Sequence, residues 1–248
     1  MSSPQPEFDR YAPNYGAGFD DPLKVAIGAD ARAFLQPKFN WLQRVTQSRA
    51  GAPLDYLDFG CGTADFLALV TESNLPWRYE GCDISGGMLD EARRRWPKLA
   101  ERAKLWQIDA ADFPTRRYDV ITAICVFHHI PPAEWNAACA RLCRALRPGG
   151  MLCIFEHNPW NPVTSWMVSR TAIDADAHLL SPRITRNLMI DAGFSGVQTS
   201  HFLFVPPRWV GADAADRMFQ WFPLGGQYLV RGYAPAESGC SALPAAVT

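Results

Sequence analysis

The sequence lacks any charge surplus: 24 lysines and arginines stand against 25 aspartates and glutamates in 248 residues, a formal charge of -1. A chain so evenly balanced presents no broad field for gathering nucleic acid or an anionic membrane. It also lacks paired Cys-x-x-Cys spacing, its seven cysteines being scattered singly. An odd number of unpaired cysteines argues against a complete disulfide framework and a zinc ribbon, and fits reduced thiols in a cytoplasm. No run of about 18 uncharged apolar residues occurs, and no basic start precedes an apolar stretch, so neither membrane insertion nor export is expected. Internal repeats are absent as well. What remains is a chain that is 48% hydrophobic, long enough for one large α/β core with a small cap, and suited to a small-molecule partner.

Acids recur at the ends of apolar runs. Residues 54 to 62 read Leu-Asp-Tyr-Leu-Asp-Phe-Gly-Cys-Gly, a short strand that closes on Asp58 and enters a glycine-rich turn. A second run, Tyr79-Glu80-Gly81-Cys82-Asp83, ends on another acid, at close to the interval expected for a ribose-binding carboxylate in a dinucleotide-type fold. A third, Leu105-Trp106-Gln107-Ile108, ends on Asp109. Caps and turns explain any one of these acids. Three at successive strand ends line the crevice where open α/β sheets take nucleosides.

From Leu54 to Glu156 strand and helix signals alternate, which predicts βαβ units and a mainly parallel sheet. A helix is expected over Asp30 to Val45 as a lid or flank. Another should start near Thr63, with Phe66, Leu67, Leu69 and Val70 inward. Ser85 suits the N-cap of a third, with Met88, Leu89, Ala92 and Trp96 on one stripe and Pro97 as its stop. Tyr118 to Ile124 reads as a buried strand, Pro132 to Leu146 as a helix, and Met151 to Phe155 as a fifth strand. Beyond these, Ser181-Pro182 opens a helix closing at Gly193, a strand runs through Phe202 and Phe204, and the last covers Gln227 to Tyr233.

These motifs, over roughly residues 50 to 157, resemble those of class I S-adenosylmethionine-dependent methyltransferases. The resemblance implies that Asp58, Gly60, Cys61 and Gly62 approach the methionine part of the cofactor. It implies that Asp83, with Ile84, holds the ribose hydroxyls, a carboxylate offering two acceptors to two donors. Asp109 and Ala110 then meet adenine, Cys125 and Val126 pass beside the transferable methyl, and Tyr11 and Tyr15 close over the cofactor. Ala64 stands where the family often has a third glycine. Asp65 weighs against a nicotinamide-binding reading, because a carboxylate there would repel a pyrophosphate.

Candidate catalytic residues are His128 and His129, either able to take a proton from a hydroxyl, although adjacent histidines often serve structure instead. Adjacent residues on an extended segment point apart, and no carboxylate-rich cluster accompanies them, so no metal site is expected. Candidate acceptor contacts are Phe127, Glu156, His157, Asn158, Trp160, Trp209 and Trp221. Asn158 and Asn161 fit turn formation equally well. The resemblance implies a seven-stranded, mostly parallel Rossmann-like sheet with helices on both faces and an antiparallel last strand. The expected division is an arm and lid helix (1 to 45), a methyltransferase domain (46 to 235) with cap insertions near 158 to 180 and 204 to 223, and a flexible tail (236 to 248). The expected activity is methyl transfer from S-adenosylmethionine to a hydroxyl of a small, partly apolar metabolite, by a monomer or homodimer. Alternatives are methylation of nitrogen or carbon, a nicotinamide oxidoreductase, and a non-catalytic S-adenosylmethionine-binding protein.

Overall fold

A computed structural model describes Asp9 and residues 31–47, 53–73, 75–108 and 113–236. Tyr11, Tyr15, Asp109, Ala110 and the tail beyond residue 236 lie outside the described residues. The strands form a seven-stranded mixed sheet, as the resemblance implied, in the order β3 (Ala103–Gln107), β2 (Arg78–Asp83), β1 (Asp55–Phe59), β4 (Tyr118–Ile124), β5 (Leu146–His157), β7 (Gln227–Tyr233), β6 (Ser195–Phe202). The chain divides into two compact units, residues 1–111 and 112–248.

In the first unit, β1 (Asp55–Phe59), β2 (Arg78–Asp83) and β3 (Ala103–Gln107) pair in parallel. Every residue of β1 after Asp55 is buried, as is every residue of β2 after Arg78, the pattern of strands covered on both faces. α1 (Ala31–Thr46) packs along α2 (Asp65–Glu72) and buries Phe39 and Leu42. α2 buries five consecutive residues, Phe66 to Val70, and starts at Asp65 instead of Thr63. The reason is backbone: Gly60, Gly62 and Ala64 all have positive φ, so the chain is still turning at Ala64. α3 (Gly86–Arg95) is capped by Ser85, whose hydroxyl accepts from Met88 N at 3.0 Å. Pro97 does more than stop α3; it is the first residue of a short α4 (Pro97–Ala100), where its missing N–H costs nothing.

In the second unit, β4 (Tyr118–Ile124) pairs in parallel with β5 (Leu146–His157). β7 (Gln227–Tyr233) lies antiparallel to both β5 and β6 (Ser195–Phe202). The β6 strand ends at Phe202, short of Phe204, because Leu203 turns left-handed with φ 60. α5 (Trp135–Ala145) packs on β5, α6 (Pro162–Val168) follows it in the chain, α7 (Pro182–Asp191) packs on β6 and β7, and α8 (Ala212–Phe219) reaches β6. Five cysteines (Cys61, Cys82, Cys125, Cys139 and Cys153) are free thiols. Among the described residues no helix is long and apolar enough to cross a membrane.

Candidate active site

The first unit builds a cradle from backbone. Gly60 N and Cys61 N both donate to Cys82 O, at 2.8 and 3.0 Å, which folds the turn after β1 back onto β2. The carboxylate of Asp83 then accepts from Gly62 N at 2.8 Å and from Ser85 N at 2.9 Å. Gly81 makes the packing beneath feasible: a Cβ there would meet Cys61 Sγ and Leu105 Cδ2 at 2.9 Å. Asp58 is buried, whereas Ile84 is 57% exposed, an apolar surface left open beside Asp83. Burial raises the pKa of Asp83 above the ordinary aspartate value, against the pull of the Ser85, Gly62 and Ile84 N–H groups. Burial, then the charges of Asp58 and Asp83, raise the Cys61 thiol well above its usual value, so it remains protonated. Asp65 is held by the Thr63 hydroxyl at 2.6 Å and by Arg95.

Asp9 adds a contact that the sequence did not signal. Its carboxylate accepts from the Ser85 hydroxyl and, at 3.1 Å, from Gly87 N in the first turn of α3. The placement suits the positive end of a helix dipole.

The second unit builds its cluster from side chains. After β4, Cys125 takes a positive φ of 55, and its N–H donates to Phe155 O at 2.8 Å. Phe127 to His129 then form a 3-10 turn. This corrects the expectation that the two histidines sit on an extended segment and point apart, since their ring centroids lie 4.0 Å from each other. From β5, Glu156 is fully buried; its Oε1 accepts from Val126 N at 3.0 Å and Phe127 N at 2.7 Å, and its Oε2 lies 2.5 Å from His128 Nδ1. Asp174, in a 3-10 turn at Ala172–Asp174, places Oδ1 3.5 Å from Nε2 of both His128 and His129.

The electrostatics separate the two rings. Burial opposes charge on His128, but Glu156 and Asp174 on either side outweigh it and push its pKa up to about 10. Burial and the neighbouring His128 cation push His129 down to about 4. Despite burial, the same cation holds Glu156 below its ordinary value. With one nitrogen on Glu156 and the other facing Asp174, His128 has none left for a substrate. His129 and Asp174 keep side-chain exposures of 19% and 11%.

Other candidates fall into three groups. Phe127 is wholly buried, and its carbonyl accepts from Trp135 Nε1 at 2.9 Å. Asn158 is also wholly buried: its Nδ2 donates to Pro223 O and Gly225 O at 2.8 Å each, and its Oδ1 accepts from Trp160 N at 3.1 Å. These contacts make Asn158 a staple for the 223–226 segment, while Asn161 caps α6. His157 lies 3.4 Å from Gln227 Nε2. Trp160, Trp209 and Trp221 are 47%, 63% and 72% exposed, open rather than enclosed. Sequence reasoning missed Asp174 and Gln227, neither of which carries a motif.

Residues 57–152 match a family model described as a methyltransferase domain. The chain is 29% identical over 138 residues to a demethylmenaquinone methyltransferase of Thermus thermophilus, covering 54% of this chain and 58% of the relative. It is 33% identical over 127 residues to a trans-aconitate 2-methyltransferase of Methylobacterium nodulans, covering 51% and 45% respectively. The chain thus spans about half the length of these two relatives. Among solved structures, the putative methyltransferase of Haloferax volcanii, in complex with the Trm112 methyltransferase activator, superposes with a TM-score of 0.61 at 19% identity. That match covers 94% of this chain and 100% of the other, a likeness of fold. These matches favour a methyltransferase domain over a nicotinamide-binding one. The acids and glycine turn of the first unit, the sheet order and the match over residues 57–152 identify a methyltransferase domain within this chain, on the fold of the class I S-adenosylmethionine-dependent methyltransferases.

Proposed function

We propose that this chain carries the methyl group of S-adenosylmethionine to a hydroxyl of a small, partly apolar metabolite. The observation that supports the hydroxyl is the buried chain Glu156–His128–Asp174 with His129 at its edge. The sulfonium already supplies a strong electrophile, so the protein must chiefly align the nucleophile and exclude water. A hydroxyl differs from a neutral amine in needing a place for its O–H as the oxygen is methylated. Asp174 and His129, the partly exposed members, are the groups that meet the acceptor in this reading, and Glu156 and His128 hold them.

Partly apolar character is supported by the exposed tryptophans at 160, 166, 209 and 221, which lie in the segments 158 to 180 and 204 to 223 proposed as a cap. The relatives named for demethylmenaquinone and trans-aconitate support a small molecule as acceptor, and the near-zero charge favours one over nucleic acid.

The test is incubation of the full chain with methyl-labelled S-adenosylmethionine and a matched pair, a naphthol and the corresponding naphthylamine, with the methyl located by NMR. The expected product carries it on the naphthol oxygen. A methyl found on nitrogen or on a ring carbon alone would overturn the hydroxyl assignment.

A further inference from the structure

The arrangement around Asp174 has the spacing of a metal site. Its Oδ1 faces two imidazole nitrogens, His128 Nε2 and His129 Nε2, each at 3.5 Å. That separation is long for an N–H···O bond. It is close to the edge of a tetrahedron whose corners lie about 2.0–2.1 Å from a central metal ion, an edge of roughly 3.3 Å. The ligand atoms of His128, His129 and Asp174 all fall within 4.8 Å of one another, and they form the metal-compatible group found among the described residues.

Glu156 completes the pattern. It holds His128 Nδ1 at 2.5 Å, which keeps a proton on that nitrogen and leaves Nε2, facing Asp174, as the atom at which a metal ion would displace the second proton of the cation. The two carboxylates that flank this ring hold positive charge between them, a proton in the metal-free chain and a metal ion in its place when one binds. A carboxylate on the far nitrogen is also the usual support of a metal-bound histidine.

We propose that His128 Nε2, His129 Nε2 and Asp174 bind one divalent transition-metal ion, zinc by donor set, with Glu156 orienting His128 and an open position on the partly exposed side. Two imidazoles and one carboxylate leave a fourth position for an oxygen ligand. The role of that oxygen rests on the hydroxyl reading above. Bound there, an acceptor hydroxyl loses its proton to solvent, and its oxygen attacks the methyl. The S–C bond breaks with its electron pair going to sulfur, giving a methyl ether and S-adenosylhomocysteine with the metal unchanged.

The experiment is calorimetric titration of the full chain, after dialysis against EDTA, with zinc chloride, and in parallel with cobalt(II) followed by its visible absorption. The expected result is one ion per chain with a Kd in the micromolar range or below. The cobalt band should disappear in Asp174→Asn and in His129→Asn but persist in His178→Asn, a change at an exposed histidine. Circular dichroism shows which variants fold, and either ligand variant alone suffices. No binding by the wild-type chain, or binding unchanged in a folded ligand variant, would overturn the site. Methyl transfer to the naphthol oxygen by metal-free enzyme at the full rate would remove its role while leaving the hydroxyl reading intact. A methyl delivered only to nitrogen or carbon would overturn the hydroxyl reading whatever the metal result.

Discussion

The two units solve the problem of placing charge in opposite ways. In the first, Asp83 is held by the N–H groups of Gly62 and Ser85, and the turn that delivers Gly62 is made by residues whose backbone adopts positive φ. In the second, His128, Glu156 and Asp174 come from three separate elements and hold one another. A backbone cradle depends on local conformation and tolerates loss of one side chain. A side-chain cluster is coupled, so removing one member leaves another buried without its partner. The first unit should therefore lose ligand binding when its acid is removed, and the second should lose stability.

Glu156→Gln should have the largest effect. It leaves the His128 cation buried beside one carboxylate instead of two, and breaking a buried charge pair costs about 3–5 kcal/mol. Urea denaturation followed by circular dichroism measures it; a cost under about 1 kcal/mol would show that the cluster is not coupled as described.

Asp83→Ala should come next, with a different signature. If Asp83 accepts two hydrogen bonds from ribose, as the resemblance implies, its loss should weaken S-adenosylhomocysteine binding about a hundredfold or more, at roughly 1.5–3 kcal/mol per charged hydrogen bond. Thermal stability should change little by comparison. The same carboxylate sets a pH dependence. Its pKa in the folded protein is raised by burial, so acidification protonates it earlier than an ordinary aspartate. Affinity should be full at neutral pH and fall as the pH drops through that raised value, as calorimetry across acidic buffers would show. A fall confined to the ordinary aspartate range would contradict the burial argument.

Gly81→Ala tests the packing below the cradle. Its Cβ would overlap Cys61 Sγ and Leu105 Cδ2, and overpacking of this kind costs about 1–3 kcal/mol. Loss of S-adenosylhomocysteine affinity should accompany the fall in melting temperature, because the displaced Cys61 belongs to the turn. The smallest effect has the opposite sign. Ala64 has φ 58, a conformation glycine adopts freely, so Ala64→Gly should stabilise the chain by about 0.5–1 kcal/mol or leave it unchanged. A clear destabilisation would mean that the methyl of Ala64, fully buried, packs better than its backbone strain costs.

The strands were legible where apolar runs were bounded by glycine, proline and acids: β4 and β7 fall at Tyr118–Ile124 and Gln227–Tyr233, the limits read from sequence. Boundaries drifted where backbone conformation decided them, at Ala64 before α2 and Leu203 after β6, because neither residue type announces a positive φ. The placement of Asp58, Gly62 and Asp83 around one turn was legible because it follows from position in a strand-turn-helix unit. His128 and Glu156 stood out as residues, but not as partners 28 positions apart.

Sequence alone thus determined the order of elements, the glycine turn and the acids at the strand ends, since short-range sterics and hydrophobic periodicity act between neighbours in the chain. Only the tertiary structure decided that Asn158 is a staple, that the two histidine rings converge on one oxygen of Asp174, and that Glu156 charges one ring while burial discharges the other. Those outcomes depend on distance and desolvation among residues far apart in sequence, and folding is what brings those residues together.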